Sequence, residues 1–287
     1  MNDFTICTDS GSDLSEEALL RYGVVSFDLS FSFGDGYLKS SQITADEFYQ
    51  RMRRAEVAKT SAVSPEDFYI GFERILKEGR DILYIGLSSG LSTTYNSARL
   101  AADRLSSIYP DRKISLVDSR CASGGSGLLI YLTAEQKAMK RSMFECKEFA
   151  EKLSYRICHL FTVDDLSYLK RGGRISTAKA LIGNALGVKP ILHVSPDGHL
   201  VGGNMARGRR GSLDEMARLF GTLAEDKRTD NIFITHADCI SDARYLSKRL
   251  SEDYSATVKE IFDIGAVIGA HAGPGTLALF FIGEKRH

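Results

Sequence analysis

Short apolar runs alternate with stretches of 3.6-residue periodicity along most of the chain, and this alternation constrains the fold more than any other feature. FTIC (4–7), ILYIGL (82–87) and ISLVDS (114–119) are each followed by a helical pattern, as parallel strands joined by crossover helices require. Helix starts are marked at Ser15-Glu-Glu, at the capping box Thr44 to Glu47, at Ser64 before Pro65, at Ser92-Thr-Thr-Tyr95 and at Ser142-Met-Phe-Glu145. Beyond about Ser154 the pattern predicts a strand over 157–163, a polar segment DDLSYLKRGGRIS (164–176) and a small-residue helix over 176–187. KPILHV and HLVGG flank Pro196-Asp197-Gly198, a hairpin signal. A helix over 212–225, a strand over 232–237, a helix over 241–252, a strand over 256–265 and a final strand complete the reading. For 287 residues, at about 150 per domain, we expect an α/β chain of two α/β domains. Residues 1–155 would hold a mainly parallel sheet with crossover helices, and 156–287 a mixed sheet with helices, with the ligand site between them.

Lys and Arg total 37 against 37 Asp and Glu, so the whole chain exerts no long-range pull on nucleic acid or anionic membrane. Any such affinity must come from a local patch. The five cysteines, at 7, 121, 146, 158 and 239, are scattered without a C-x-x-C pair, which argues against a disulfide framework or structural zinc and for a reducing compartment. The start MNDFTICTDS lacks the basic end and apolar stretch of an export signal, so a cytoplasmic location is expected. Gly265 to Gly283 is uncharged but holds five glycines, Pro274 and His271, and reads as a loop leading into a buried strand.

The strand over 82–87 ends in Ser88, Ser89, Ser92, Thr93 and Thr94, at the carboxyl end where open α/β sheets bind ligands. Ser92 alone could be no more than a helix cap. Hydroxyls recur, however, in Thr8-Asp9-Ser10, Thr60-Ser61 and Asp118-Ser119, which suggests a polar pocket for a small anionic group. Gly86-Leu-Ser88-Ser-Gly90 also fits the G-x-S-x-G elbow of serine esterases of α/β-hydrolase type, and Ser88, Asp118 and His271 stand in hydrolase order. Against this, an elbow serine opens its helix directly, whereas the best cap falls at Ser92. His271 sits among glycines in 269–276, which would expose its imidazole to a ligand. His159, His193, His199 and His236 have no partner at metal-ligand spacing and read as structural. Basic residues cluster as Lys170, Arg171, Arg174 and as Arg207, Arg209, Arg210. Without interleaved aromatics, a phosphate or acidic partner ranks ahead of nucleic acid, and a solvated face stays open for the second cluster. No Walker A or G-x-G-x-x-G pattern occurs.

TDS (8–10), KTS with SP close behind (59–65), SSGLSTTYNSA (88–98), VDS (117–119), DDLSYLKRGGRIS (164–176), KPIL (189–192) and GAHAGPGT (269–276) together resemble the DegV family, and the resemblance covers essentially the whole chain. It implies a non-catalytic bacterial carrier, the lipid-binding subunit of a two-component fatty acid kinase, with a bound long-chain fatty acid as ligand and no cofactor or metal. It further implies that Thr60 and Ser92 hold the acyl carboxyl group and that His271 completes their network. Ser61, Ser89, Gly90, Thr93, Asp118, Ser119, Gly273 and Thr276 would support that pocket, and Arg171 or Arg174 would lie near the transferred phosphate. Implied partners are a separate ATP-binding kinase subunit, an acyltransferase downstream and transient membrane contact, with no nucleic acid. Where the family has Gln-Pro after the TS and a glycine after the binding serine, this chain has Ala62-Val63 and Thr93. About 0.8 kcal/mol per buried CH₂ makes the tail the source of affinity and the polar cluster the source of orientation.

Overall fold

In chain order the first half carries β1 (Phe4–Asp9), α1 (Glu16–Tyr22), β2 (Val24–Phe27), β3 (Ser30–Ser32), β4 (Leu38–Lys39), α2 (Ala45–Arg53), β5 (Lys59–Ser61) and α3 (Pro65–Lys77). It continues with β6 (Asp81–Gly86), α4 (Thr94–Ile108), β7 (Ile114–Asp118), α5 (Gly124–Ala138) and α6 (Met143–Ser154). The second half carries β8 (Ile157–Thr162), α7 (Ser167–Arg171), β9 (Val188–Val194), β10 (Leu200–Arg207) and α8 (Gly208–Leu223). It ends with β11 (Ile232–His236), α9 (Ile240–Tyr254), β12 (Val258–Asp263), α10 (Ala266–Ala272) and β13 (Leu277–Ile282). The computed structural model describes residues 3–174 and 187–286, so the small-residue helix expected over 176–187 falls, up to residue 186, outside the described residues.

The strands form two principal sheets. One is wholly parallel in the order β2-β1-β6-β7, and the other is mixed in the order β10-β9-β8-β13-β11-β12, with β11 and β12 parallel and its other pairs antiparallel. The chain is therefore two α/β layers in sequence, as the alternation requires. The expected caps are in place, since Ser15, Thr44, Ser64 and Ser142 each accept a backbone N–H from the first turn of their helix, Thr44 and Ser142 as full capping boxes.

Three features depart from the sequence reading. A small antiparallel sheet, β4-β3-β5, carries Thr60 opposite Phe31; its strands of two or three residues are set by pairing with distant partners and leave no periodicity. Helix α4 starts at Thr94, and Ser92 accepts the Thr94 N–H at 3.2 Å from outside the helix. The segment around His271, expected to be an irregular loop, is the helix α10. Its glycines are distributed to suit a helix: Gly265 precedes it, Gly269 lets Tyr49 approach where a Cβ would meet the phenol oxygen at 2.4 Å, and Gly273 ends it at φ 84°.

Helix α5 lies between the two sheets, touching β6 on one side and β8, β11 and β13 on the other. Residues Gly124 to Tyr131 are all buried, as a helix apolar on every side must be. At Gly125 an added Cβ would meet His159 Nε2 at 2.2 Å, so the first turn of α5 rests directly on the second sheet. One apolar cluster thus runs from Ile6 and Leu83 through Leu128 and Leu129 to Phe161, Phe233 and Phe280.

Candidate functional site

A cavity of about 380 Å³ opens beside α5, within the roughly 300–1,000 Å³ span of small-molecule sites. Its interior wall is mainly apolar: Leu29, Leu87, Phe161, Val194, Leu200, Ala278 and Phe280 come from both halves of the chain and are all buried. At the opening the chemistry changes, because the exposed Ser61, Thr93 and Arg174 and the half-buried Thr60, Ser92 and His271 also line the cavity.

Strand β5 and the last turn of α10 bring Thr60 Oγ1 within 2.8 Å of His271 Nε2. Ser92 Oγ lies 2.9 Å from Thr94 Oγ1 and accepts the Thr94 amide, which leaves its second lone pair or its proton for a ligand. Burial, with the nearby Arg174 guanidinium, pushes the His271 imidazole down to about 4, so at neutral pH it is uncharged. Its Nδ1 is buried with no hydrogen-bond partner, and it lies so close to the backbone of Gly172 that a Cβ there would meet it at 2.3 Å. The Lys-Arg-Gly-Gly-Arg turn therefore packs on the histidine. Arg174 Nε donates to the Leu91 carbonyl at 3.2 Å and Nη1 to the Gly172 carbonyl at 2.6 Å, fixing a cation at the cavity opening. Arg171 lies over the Tyr168 ring at 4.9 Å and is not a lining residue, so of the two arginines Arg174 is the one at the opening.

The other expected pocket residues divide. Ser61, Thr93 and Thr276 line the cavity, but the Thr276 hydroxyl is directed at the Ala272 and Gly273 carbonyls, 2.8 Å each, and closes the end of α10. Ser89, Gly90, Asp118, Ser119 and Gly273 are not on the wall. Asp118 accepts from the Ser89 hydroxyl at 2.5 Å and from the amides of Ser89 and Arg120, and Ser119 accepts from the Cys121 amide at 3.0 Å. Gly90 packs on the 198–199 turn and Gly273 on the Tyr168 ring. These residues build the turns that carry the wall, since the same small polar types serve a turn as well as a ligand.

Ser88 is fully buried, donates to the Gly198 carbonyl at 2.8 Å and accepts from the Gly90 amide. The remaining members of the esterase constellation are engaged elsewhere, Asp118 with Ser89 and His271 with Thr60. The Arg207, Arg209, Arg210 cluster is only partly a free surface. Arg209 pairs with Asp242 at 2.8 Å and approaches Asp164 at 3.7 Å, and Arg210 stacks on Tyr245. Arg207 is exposed at the start of α8.

His159 and Ser123 also line the cavity. His159, read from sequence as structural, is buried and held neutral by that burial, with its Nδ1–H donating to the Ile157 carbonyl at 3.1 Å. Nothing in the local sequence marks either residue as cavity wall. Among the described residues, no group of three His, Cys, Asp or Glu is placed to hold a metal ion, and no helix is long and apolar enough to cross a membrane.

Comparison with known proteins gives one answer from three directions. The family model DegV, described as an uncharacterised protein family, matches residues 3–284. A DegV domain-containing protein of Clostridium perfringens is 38% identical over 100% of this chain and 99% of its own, and one of Streptococcus pyogenes is 32% identical over 98% and 99%. Among solved structures, a fatty-acid-binding DegV family protein from Thermus thermophilus matches with a TM-score of 0.89 at 29% identity, covering 99% of this chain and all of that one. A stearic-acid-binding protein from Eubacterium ventriosum matches at 0.87 and 28%, covering 98% of each. The fatty acid kinase B3 protein of Streptococcus pneumoniae, solved with linoleic acid, shares the fold at 0.87 and 22% identity, covering 98% of this chain and 100% of that one. The two sheets, their order along the chain and a match that runs nearly end to end make this chain a member of the DegV family.

Proposed function

We propose that this protein binds a long-chain fatty acid, with the acyl chain in the cavity and the carboxyl group at Thr60, Ser92 and His271, and presents that group to a separate ATP-binding kinase subunit. The observation that carries this reading is the division of the cavity: mainly apolar buried walls inside, and a hydrogen-bonded Thr60 and His271 pair with Ser92 and Arg174 at the opening. A tail gains about 0.8 kcal/mol per CH₂ inside. The head is left beside hydroxyls, a neutral imidazole and a guanidinium, which suit a carboxylate or the acyl phosphate made from it. The fatty acids in the T. thermophilus and E. ventriosum relatives support the ligand class. The kinase step rests on the family resemblance and on the Arg174 guanidinium at the opening. Arg174 would face the transferred phosphate, with Arg171, Arg207 and Arg210 meeting the partner; Arg209 is left out because it pairs with Asp242.

Denaturing mass spectrometry of an organic extract of the purified protein should find a long-chain fatty acid near one to one. Oleate or palmitate added to delipidated protein should raise Tm, as a ligand of the native state must. Extracts free of fatty acid, with no Tm response, would end the carrier reading. Charge reversal at Arg171, Arg207 and Arg210 should weaken kinase-dependent phosphorylation with lipid content unchanged. Unimpaired phosphorylation would move the partner surface elsewhere.

A further inference from the structure

Asp13 stands where the cavity wall meets an outer groove. It follows the 3-10 turn Ser10–Ser12 in a left-handed conformation (φ 54°) and is 8% exposed. Its Oδ2 accepts from the Ser123 hydroxyl at 2.6 Å, and its Oδ1 accepts from the Gly265 amide at 3.0 Å. Ser123 Oγ is also 2.9 Å from Thr235 Oγ1 on β11. Ser123 lines the cavity at the start of α5, in a backbone conformation (φ 54°, ψ −144°) that an L residue adopts only when its surroundings enforce it. Gly265 opens α10, which brings Val267, Ile268 and His271 to the same cavity. One carboxyl group thus ties the residue that precedes α5 to the start of α10, and one hydroxyl separates it from the ligand space.

We propose that Asp13 is a positioning residue for the bound acyl chain and that its protonation is linked to cavity occupancy, so that fatty acid is held more tightly when Asp13 carries a proton. The proposal rests on the fatty-acid reading above. With Asp13 ionised, Ser123 donates to Oδ2 and Thr235 donates to Ser123. With the proton, Asp13 donates to Ser123 Oγ, and the Ser123 proton turns to Thr235 or the cavity. The change needs only hydroxyl rotation and a proton from solvent. An apolar chain laid against Ser123 in place of solvent disfavours the ionised carboxylate more than the neutral acid. Binding therefore takes up a proton, and by linkage a proton favours binding.

The surroundings poise this group. Burial pushes the Asp13 carboxyl up to about 7 against the bonds from Ser123 and Gly265, and Asp263 and Asp9 push it further in the same direction. The titratable groups facing it are Asp9 on β1, Asp263 on β12 and Tyr49 on α2, the last kept neutral by burial. His236 on β11 lies behind Asp263 at 3.5 Å, and Glu16 and Asp28 share the outer groove. His271, at the far end of α10, is already neutral near pH 7. Because occupancy raises the pKa of Asp13, affinity is full below its value in the lipid-free protein and falls as pH rises through its value in the complex.

The test is palmitate affinity of the full chain from about pH 5.5 to 8.5, in wild type, Asp13→Asn and Ser123→Ala. Titrations of the palmitate carboxyl and of His271 are common to all three, so the difference between curves isolates Asp13. Wild type should lose about fivefold or more in affinity across neutrality, in the usual range of coupling. Asp13→Asn keeps an acceptor for Gly265 and a donor for Ser123, and should lack that step while binding as the low-pH wild type does. Ser123→Ala removes a bond made in both states but stronger to the ionised form, and should move the midpoint upward, a readout that does not depend on the asparagine variant folding. Superimposable wild-type and Asp13→Asn curves, or an unmoved midpoint in Ser123→Ala, would overturn the proposal. Absence of palmitate binding at every pH would instead overturn the carrier reading itself.

Discussion

Thr60 and His271 are 211 positions apart in sequence, yet Oγ1 of the first and Nε2 of the second meet at 2.8 Å. Neither holds its place alone: Thr60 sits on a three-residue strand and His271 in the last turn of a seven-residue helix. Head-group affinity should therefore fall in steps. Ser92→Ala should cost about 1.5–3 kcal/mol, the range for a hydrogen bond to a charged group, and the double variant with Thr60→Val should lower occupancy more than either change alone. Calorimetric titration with palmitate measures both, and equal affinity in all three variants would move the carboxyl group elsewhere.

His271 makes stability fall in acid. Its folded-state pKa, about 4, lies below the ordinary 6.5, so the native state binds fewer protons than the unfolded one. The contribution is complete above about pH 6.5 and is lost as pH falls towards 4. Arg174→Gln removes one of the two causes and should raise the imidazole pKa, which NMR titration reads directly. A downward shift would mean that the guanidinium is not the neighbour acting on it.

Ser88 should behave as a structural residue. Its hydroxyl is buried against the Gly198 carbonyl, so Ser88→Ala should lower stability by about 1–3 kcal/mol, the cost of leaving a buried acceptor unpaired. Denaturant unfolding measures this. Fluorophosphonate labelling of Ser88, with ester turnover lost in the alanine variant, would restore the hydrolase reading.

At Gly125 and Gly269 a methyl group has no room. The nearest atoms are 2.2 Å away on His159 and 2.4 Å away on Tyr49, and overpacking of this kind costs about 1–3 kcal/mol. Gly125→Ala should lower Tm and also reduce palmitate affinity, because it pushes α5 from the sheet beside the cavity. A Tm within a degree of wild type would show that the helix yields easily there.

What the sequence made legible was local. Ser15, Thr44, Ser64 and Ser142 cap helices because a cap is a matter of three or four adjacent residues, and the alternation of strands and helices follows from side-chain period alone. The site was legible only in outline. Ser89 and Asp118 carry the same polar signature as Ser92, yet they bond to each other away from the cavity, because a short hydroxyl satisfies a turn as readily as a ligand. The segment around His271 has the glycine content of a loop, yet the places of those glycines suit a helix: one precedes it, one accommodates Tyr49 and one ends it. Leu29, Phe161 and Phe280 line one cavity from places far apart in the chain, and no window of sequence contains all three.

Helix α5 belongs by sequence to the first half and by contact to both. A chain cut after α6 would leave the face that meets β8, β11 and β13 bare, while the second sheet would lose the layer over its inner side. Neither fragment could bury its own apolar surface, so the two halves should melt in a single cooperative transition and resist expression as separate domains. With α5 packed on both sheets, a ligand bound as proposed would have to enter without the two halves of the chain coming apart.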